Sequence, residues 1–181
     1  MSRHARGQLA AGVYHVTTRS AGPVPVFTDG DERTRFCNLV AQTTKRLGWN
    51  CWAFCIMPTH FHLLLDVPEN TLQPGMQRIN WGYARWFNAR RGRSGHLFGE
   101  RYYCVRVETD VHMLILLRYL ARNPVAAGLC ERPSDWLWSS YRGAIGLDAG
   151  FPFVDAAPLR AYFGPDAEQA TALIRQFVGE N

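Results

Sequence analysis

Two runs of apolar and aromatic residues, Trp49 to Met57 and His60 to Val67, are separated only by Pro58 and Thr59. Each run has the length of a strand, and the gap holds little more than a tight turn. The spacing therefore predicts two consecutive strands at the centre of a sheet. The rest of the chain has to pack around them.

Upstream, Gly12-Val13-Tyr14-His15-Val16-Thr17-Thr18 alternates β-branched and aromatic residues and ends near Gly22-Pro23, which predicts a first strand after a short basic N-terminal arm. Asp29 or Asp31 is placed to cap a helix in which Phe36, Leu39, Val40, Thr43 and Leu47 recur at helical spacing until Gly48. A second helix is expected from about Leu72 to Arg90. It carries Leu72, Met76, Ile79, Tyr83, Trp86 and Phe87 on one face and turns Arg78, Trp81 and Arg85 away. His96 to Glu108 reads as extended. A third helix, capped by Asp110, is expected from Val111 to about Ala121, with Asn123-Pro124 breaking the pattern.

The order βαββαβα predicts an α+β domain, a ferredoxin-like or RRM-like antiparallel sheet with helices mainly on one face. Residues 1–131 are expected to form this domain, and residues 132–181, with Trp136, Trp138 and Tyr141, a C-terminal extension packing on or near it. The chain shows no internal repeat.

Composition narrows the function classes. The 181 residues are 47% hydrophobic and 19% charged, a globular balance that argues against disorder. The five cysteines are odd in number and contain no C-x-x-C pair, so neither a disulfide framework nor a zinc knuckle is indicated. They read as core thiols in a reducing cytosol, and a cytoplasmic location is expected. The longest apolar runs, such as Leu63-Leu64-Leu65, are far too short to cross a bilayer. The net charge is +5, and Lys45 is the sole lysine among 20 basic residues, a preference for guanidinium groups that suits a polyanionic partner.

Three features carry chemistry. His60-Phe61-His62 begins a strand, where period-two geometry turns both imidazoles to one face and Phe61 to the other. Two such imidazoles can share a divalent ion and leave positions open for a third ligand, water or a phosphate. A lone H-x-H also occurs simply as a polar strand face. Tyr119 and Asn123 stand four residues apart, so a helix would place phenol and carboxamide on the same side. Nucleophilic use of a phenol requires a base or cation nearby, because its proton is ordinarily lost near pH ~10. The plainer readings are a packed helical aromatic for Tyr119 and, for Asn123, the cap of a short turn beginning at Pro124. Finally, Asn70 to Gly99 holds no Asp or Glu, yet contains Arg78, Arg85, Arg90, Arg91, Arg93 and His96 among aromatics. Arginines neutralise phosphates and aromatics stack on unpaired bases, although Tyr83 and Phe87 belong to the expected core face.

Taken together and in order, several motifs resemble the single-tyrosine HUH transposases, and among them the REP-associated tyrosine transposases. They are Tyr14-His15-Val16-Thr17, Met57-Pro58-Thr59-His60-Phe61-His62-Leu63-Leu64, Gly95-His96-Leu97-Phe98 with Arg101, Arg118-Tyr119-Leu120 with Asn123-Pro124-Val125, and Trp138-Ser139-Ser140-Tyr141. The resemblance implies that His60, His62 and Asn123 hold Mg²⁺ or Mn²⁺ and that Tyr119 attacks a phosphate of single-stranded DNA, leaving a 5′-phosphotyrosine link. It also implies hairpin-forming repeats as the DNA partner and a monomer or homodimer; Arg78, Arg85, Arg90, Arg91 and Arg93 of the acid-free segment, with Arg101 of the motif set, are the expected DNA contacts.

The chain departs from the family pattern in having Ala121 where a histidine is common and Thr59 where an asparagine precedes the first HUH histidine. His15 recurs in the family's first strand and is read as a packing or supporting residue. Two other readings compete: a relaxase or replication-initiator nuclease of the same chemistry, and a non-catalytic single-stranded nucleic-acid-binding module built on the same sheet.

Overall fold

A computed structural model describes residues 9–180; the expected basic arm at residues 1–6 lies outside the described residues. The elements run β1 (Gly12–Arg19), α1 (Gly30–Leu47), β2 (Asn50–Ile56), β3 (His60–Val67), α2 (Leu72–Arg91), β4 (Tyr103–Arg106) and α3 (Asp110–Ala126). The short helices α4 (Tyr141–Ala144) and α5 (Ala157–Arg160) and the longer α6 (Ala167–Val178) follow. The four strands form one antiparallel sheet in the order β2-β3-β1-β4, so the two central strands are those that carry the histidines. This is the expected α+β, ferredoxin-like arrangement.

Period-two alternation sorts each central strand between two faces. Tyr14 and Val16 of β1 and Phe61, Leu63 and Leu65 of β3 join Phe36 and Val40 of α1 and Met76, Ile79 and Tyr83 of α2 in one apolar core. At its centre Phe36 lies 4.4 Å from Phe61 and Phe27 lies 4.9 Å from Tyr83, ring centre to ring centre. The opposite face meets α3: Ala53, Cys55, Met57 and Leu64 pack against Met113, Leu116, Leu117 and Leu120. Two of the three long helices therefore share one face, and the third covers the other.

Capping explains where α1 starts and where α1 and α2 stop. Asp29 Oδ1 accepts the Glu32 backbone N–H at 2.8 Å, an N-cap, while Gly48 and Gly92 end the two helices with φ of 66° and 58°, a left-handed conformation that glycine adopts without steric penalty.

Two local expectations change. His96 to Glu108 is not one extended run, and only Tyr103–Arg106 joins the ladder. The preceding loop folds back onto the end of β1, with the Ala21 N–H donating to Leu97 O at 2.9 Å and the Gly99 N–H to Arg19 O at 3.1 Å. Its backbone groups are met there, not along a strand. The second change is in α3, which Thr109 caps in place of Asp110 and which runs through Pro124 to Ala126. A proline in the final turn removes one helical hydrogen bond, and its buried ring packs at a point where the helix is about to end. Asn123 is consequently a helical residue and not the cap of a separate turn.

The C-terminal residues seal the outer edge of β2. The Ile56 N–H donates to Trp138 O at 2.9 Å, the Ser140 N–H to Phe54 O at 3.0 Å, and the Asp155 N–H to Cys51 O at 2.8 Å. Unpaired strand edges invite pairing with other chains, so this covering removes a liability. Further along, α6 packs Ile174 and Val178 against Ala121 of α3, Tyr141 and Ile145.

Gly75, in the first turn of α2, shows how tightly the helices are set. A methyl group there would lie 2.1 Å from two carbons of the Trp49 indole, which is itself held by a 2.8 Å hydrogen bond to Thr71 Oγ1. Gly75→Ala would gain about 1 kcal/mol of helix propensity, but overpacking against a fixed ring costs about 1–3 kcal/mol. We expect net destabilisation, read as a lower urea midpoint. An unchanged or higher midpoint would mean that Trp49 yields easily.

Candidate active site

The face of the sheet toward α3 carries, by alternation, Val13, His15, Thr17 and Arg19 on β1 and His60, His62 and Leu64 on β3. Antiparallel register sets His15 opposite Leu64, Thr17 opposite His62, and Arg19 opposite His60. The strand histidines thus lie at the C-terminal end of β1, where α3 presents Tyr119 and Asn123 from above. Because α3 continues past Asn123, these two residues stand one turn apart on the same side.

His62 is the hub. Its Nδ1 lies 3.0 Å from His15 Nε2, and its Nε2 lies 3.3 Å from Asn123 Nδ2. The Tyr119 ring approaches edge-on, 5.4 Å from the His62 ring and 6.3 Å from that of His15. The His60 ring stands 5.0 Å from that of His62 at 86°. Tyr119 itself is 44% exposed, whereas His62 is only 2% exposed. A partly exposed phenol ring therefore stands edge-on beside a buried imidazole.

Burial also sets the charge state. It lowers the His15 and His60 pKa values to about 4 and that of His62 to about 2, with His112 adding to the shift of His15, Arg19 to that of His60, and the neighbouring imidazoles and Arg19 to that of His62. All three are neutral at neutral pH, the form in which imidazole ligates metals. In the His15–His62 contact one nitrogen donates and the other accepts. With the proton on His62 Nδ1, His15 accepts it and the His62 Nε2 lone pair faces Asn123, the supporting arrangement common for metal-ligating histidines. Thr59 Oγ1, 3.1 Å from His60 Nδ1, can orient the second imidazole in the same way.

Among the described residues, no group of three or more His, Cys, Asp or Glu is placed to hold a metal ion. Beside His62, the Asn123 carboxamide is the side chain that could add a third donor to a cation at His60 and His62. Rotating that amide about its last bond brings Oδ1, a donor suited to Mg²⁺ or Mn²⁺, to the position facing His62 Nε2. The donor set fits such an ion.

The structure distributes the other expected residues unevenly. Arg90 and Arg91 are ion-paired within the chain: Arg90 with Asp29 and Asp31 at 3.1 and 3.2 Å, and Arg91 with the buried Glu32 at 2.6 Å. They tie α2 to the first turn of α1. Arg78, Arg85, Arg93 and Arg101 are exposed. Ala121 is buried against α6 and faces away from the histidines, so its departure from the family pattern does not alter the donor set. The motif pattern passes over Arg19. The signal was available, because a residue four past His15 in a strand shares its face, and its charge now stands beside His60.

A tyrosine and a carboxamide one helical turn apart thus stand over paired strand histidines on a two-faced antiparallel sheet. Residues 9–123, more than half of the chain, match the IS200-like transposase family, and the chain belongs to it. It is 27% identical over 152 residues, spanning 78% of this chain and 86% of the relative, to a Haemophilus influenzae protein described as a REP-associated tyrosine transposase. Its fold matches the solved structure of a REP-associated tyrosine transposase bound to a REP hairpin with a TM-score of 0.67 at 16% identity, covering 87% of this chain and 94% of that one. Among the described residues no helix is long and apolar enough to cross a membrane.

The neutral histidines carry a pH dependence. An unfolded chain has ordinary histidines of pKa about 6.5, and the fold holds these three lower, so their neutral form is favoured by folding. Their contribution is complete above about pH 6.5 and is lost as pH falls toward the folded-state values. We expect the heat-denaturation midpoint to drop between about pH 7 and about pH 5, and to drop less in His15→Gln. A wild-type midpoint that stays level across that range would contradict a buried, neutral cluster.

Proposed function

We propose that this transposase-family chain is a metal-dependent single-stranded DNA endonuclease and strand transferase with Tyr119 as its nucleophile. The observation that carries the reading is the convergence of Tyr119 and Asn123, from one face of α3, on His62. Neither a packing role for Tyr119, which is half-exposed, nor a cap role for Asn123, which is helical, accounts for that convergence.

On this reading Tyr119 Oη gives its proton to solvent and attacks the phosphorus of a single strand. The Oη–P bond forms, the P–O3′ bond breaks, and the departing 3′ oxygen takes up a proton. A 5′-phosphotyrosine and a free 3′-hydroxyl result, and the reverse attack rejoins a strand. His60, His62 and Asn123 would hold Mg²⁺ or Mn²⁺, which when bound polarises the phosphoryl oxygen and stabilises developing negative charge. His15 and Thr59 orient the imidazoles, and Arg19 presents a cation beside His60 to the phosphodiester. Arg78, Arg85, Arg93 and Arg101 neutralise the backbone. The natural substrate class is hairpin-forming repeats, which the likeness to REP-associated relatives supports. The catalytic domain is residues 1–131, with 132–181 as an extension.

The test is to incubate the purified protein with Mn²⁺ or Mg²⁺ and a labelled oligonucleotide carrying a hairpin and single-stranded flank from the repeats beside its gene. We expect a denaturation-resistant protein–DNA adduct. Tyr119→Phe should reduce it on the order of 10³-fold or more while leaving DNA binding nearly unchanged, because one oxygen is lost and the basic surface is kept. His60→Ala should abolish metal-dependent adduct formation. Undiminished adduct in Tyr119→Phe, or normal cutting by His60→Ala with Mg²⁺, would overturn the assignment.

A further inference from the structure

Between α2 and the loop that follows it lies a recess of about 320 Å³ that the candidate active site does not include. Its floor is apolar, formed by Ala84, Leu97 and Phe98, and its rim is polar, formed by Arg85, Asn88 and His96. Trp81 stands in its wall with 63% of its surface exposed, the least buried tryptophan or phenylalanine among the exposed large apolar residues. Arg85 lies over the indole at 5.4 Å. The Asn88 amide donates to Gly95 O at 2.9 Å, which ties the loop to α2 and leaves Asn88 Oδ1 with no hydrogen-bond partner among the described residues.

The core face of α2 is made by Ile79, Tyr83 and Phe87, so core packing does not hold the Trp81 indole in place. Its surroundings indicate the partner. No acidic residue occurs between Asn70 and Gly99, and among the described residues Arg78 and Arg85 form no ion pair. They flank Trp81 at spacings of three and four, so all three share one helix face. A flat apolar surface with hydrogen-bonding groups at its edge and guanidinium groups alongside is complementary to a base and its flanking phosphates.

The recess also lies at the right end of the molecule. Its loop is fastened to the end of β1 through Ala21 and Gly99, next to Arg19 and thus to His60 across the ladder, and it continues directly into Arg101. A strand held at the histidines can pass over this end of the sheet toward α2.

We infer that this recess is a base-binding subsite: one unpaired nucleobase of the DNA strand stacks on Trp81, its edge meeting Asn88 Oδ1 and His96 while Arg85 and Arg78 neutralise adjacent phosphates. The inference rests on the reading of this chain as a single-stranded DNA enzyme and adds where, outside the reacting centre, the strand is gripped.

The experiment follows binding of the labelled hairpin-and-flank oligonucleotide by fluorescence anisotropy, using a series in which each unpaired nucleotide in turn is made abasic. Trp81→Ala should weaken binding about tenfold, within the range for loss of one base–aromatic stack, with the salt dependence unchanged. Trp81→Phe should restore most of the affinity. Arg85→Ala should instead lower the salt slope by about 0.7, the signature of one phosphate contact on a single strand. One abasic position should weaken the wild type about tenfold and have no further effect in Trp81→Ala. Because Trp81 is exposed, the variant should melt as the wild type does.

Wild-type affinity in Trp81→Ala, or a loss equal at every abasic position, would overturn the subsite. If the same oligonucleotide still forms the Tyr119 adduct in that case, the nuclease reading stands and only the subsite falls. If the wild type binds no single strand, both fall.

Discussion

β3 is buried on both of its faces, and the arrangement of the molecule depends on that. Phe61, Leu63 and Leu65 face α1 and α2, while His62 and Leu64 face α3. A slip of one residue would exchange the two sets, placing imidazoles in an aromatic core and Phe61 under Tyr119. Register is therefore enforced by the burial of three large side chains on one side. The positions of the histidines on the other side follow from the same packing. The pairing of β1 with β3 extends the control, because it brings His15 to His62 and Arg19 to His60 without any further device.

α3 completes the site by a different means. Its inner face is tied to the sheet by Met113, Leu116, Leu117 and Leu120, and a second buried stripe at Ala121 is held by α6. Between these two contacts the helix has little freedom to rotate, which fixes the direction of Tyr119 and Asn123. The C-terminal residues thus bear on the site in two ways: they brace the tyrosine helix through α6 and close the edge of β2 through Trp138 and Ser140. The motif Trp138-Ser139-Ser140-Tyr141 has a structural explanation in that edge pairing.

The features legible in the sequence were those set by local periodicity. Alternation in Gly12–Thr18 and His60–Val67, helical spacing from Phe36 to Leu47, and terminal glycines at 48 and 92 each reported an element whose bounds the structure reproduces within a residue or two. The central histidine pair was legible for the same reason. What was not legible depended on contacts between distant segments. Pro124 carries a local signal to stop, and only the packing of α3 between sheet and α6 lets the helix pass it. The exposed appearance of Arg90 and Arg91 in a segment without acids gave no sign that Asp29, Asp31 and Glu32, some sixty positions away, would pair with them. The loop after Gly95 reads as extended because its residues are apolar, yet its hydrogen bonds go to the end of β1.

The chemistry of the proposed ligands links the site to the basic surface. His60, His62 and Asn123 are all neutral donors, and burial keeps the imidazoles uncharged. A divalent cation held by neutral groups alone keeps its full charge in a partly buried place, an unfavourable state that sites for Mg²⁺ ordinarily relieve with carboxylates and substrate phosphates. Among the described residues no Asp or Glu joins the histidines in a metal-holding group, so on the proposed reading the compensating charge would come from the phosphodiester. Cation and strand then stabilise one another, and by linkage each raises the affinity of the other. Arg19, beside His60, pulls in the same direction, repelling an uncompensated cation and attracting the phosphate that would compensate it. On the proposed reading, a site built this way would hold a metal best when a strand is present, which would confine the reactive arrangement to the moment when Tyr119 has a phosphate before it.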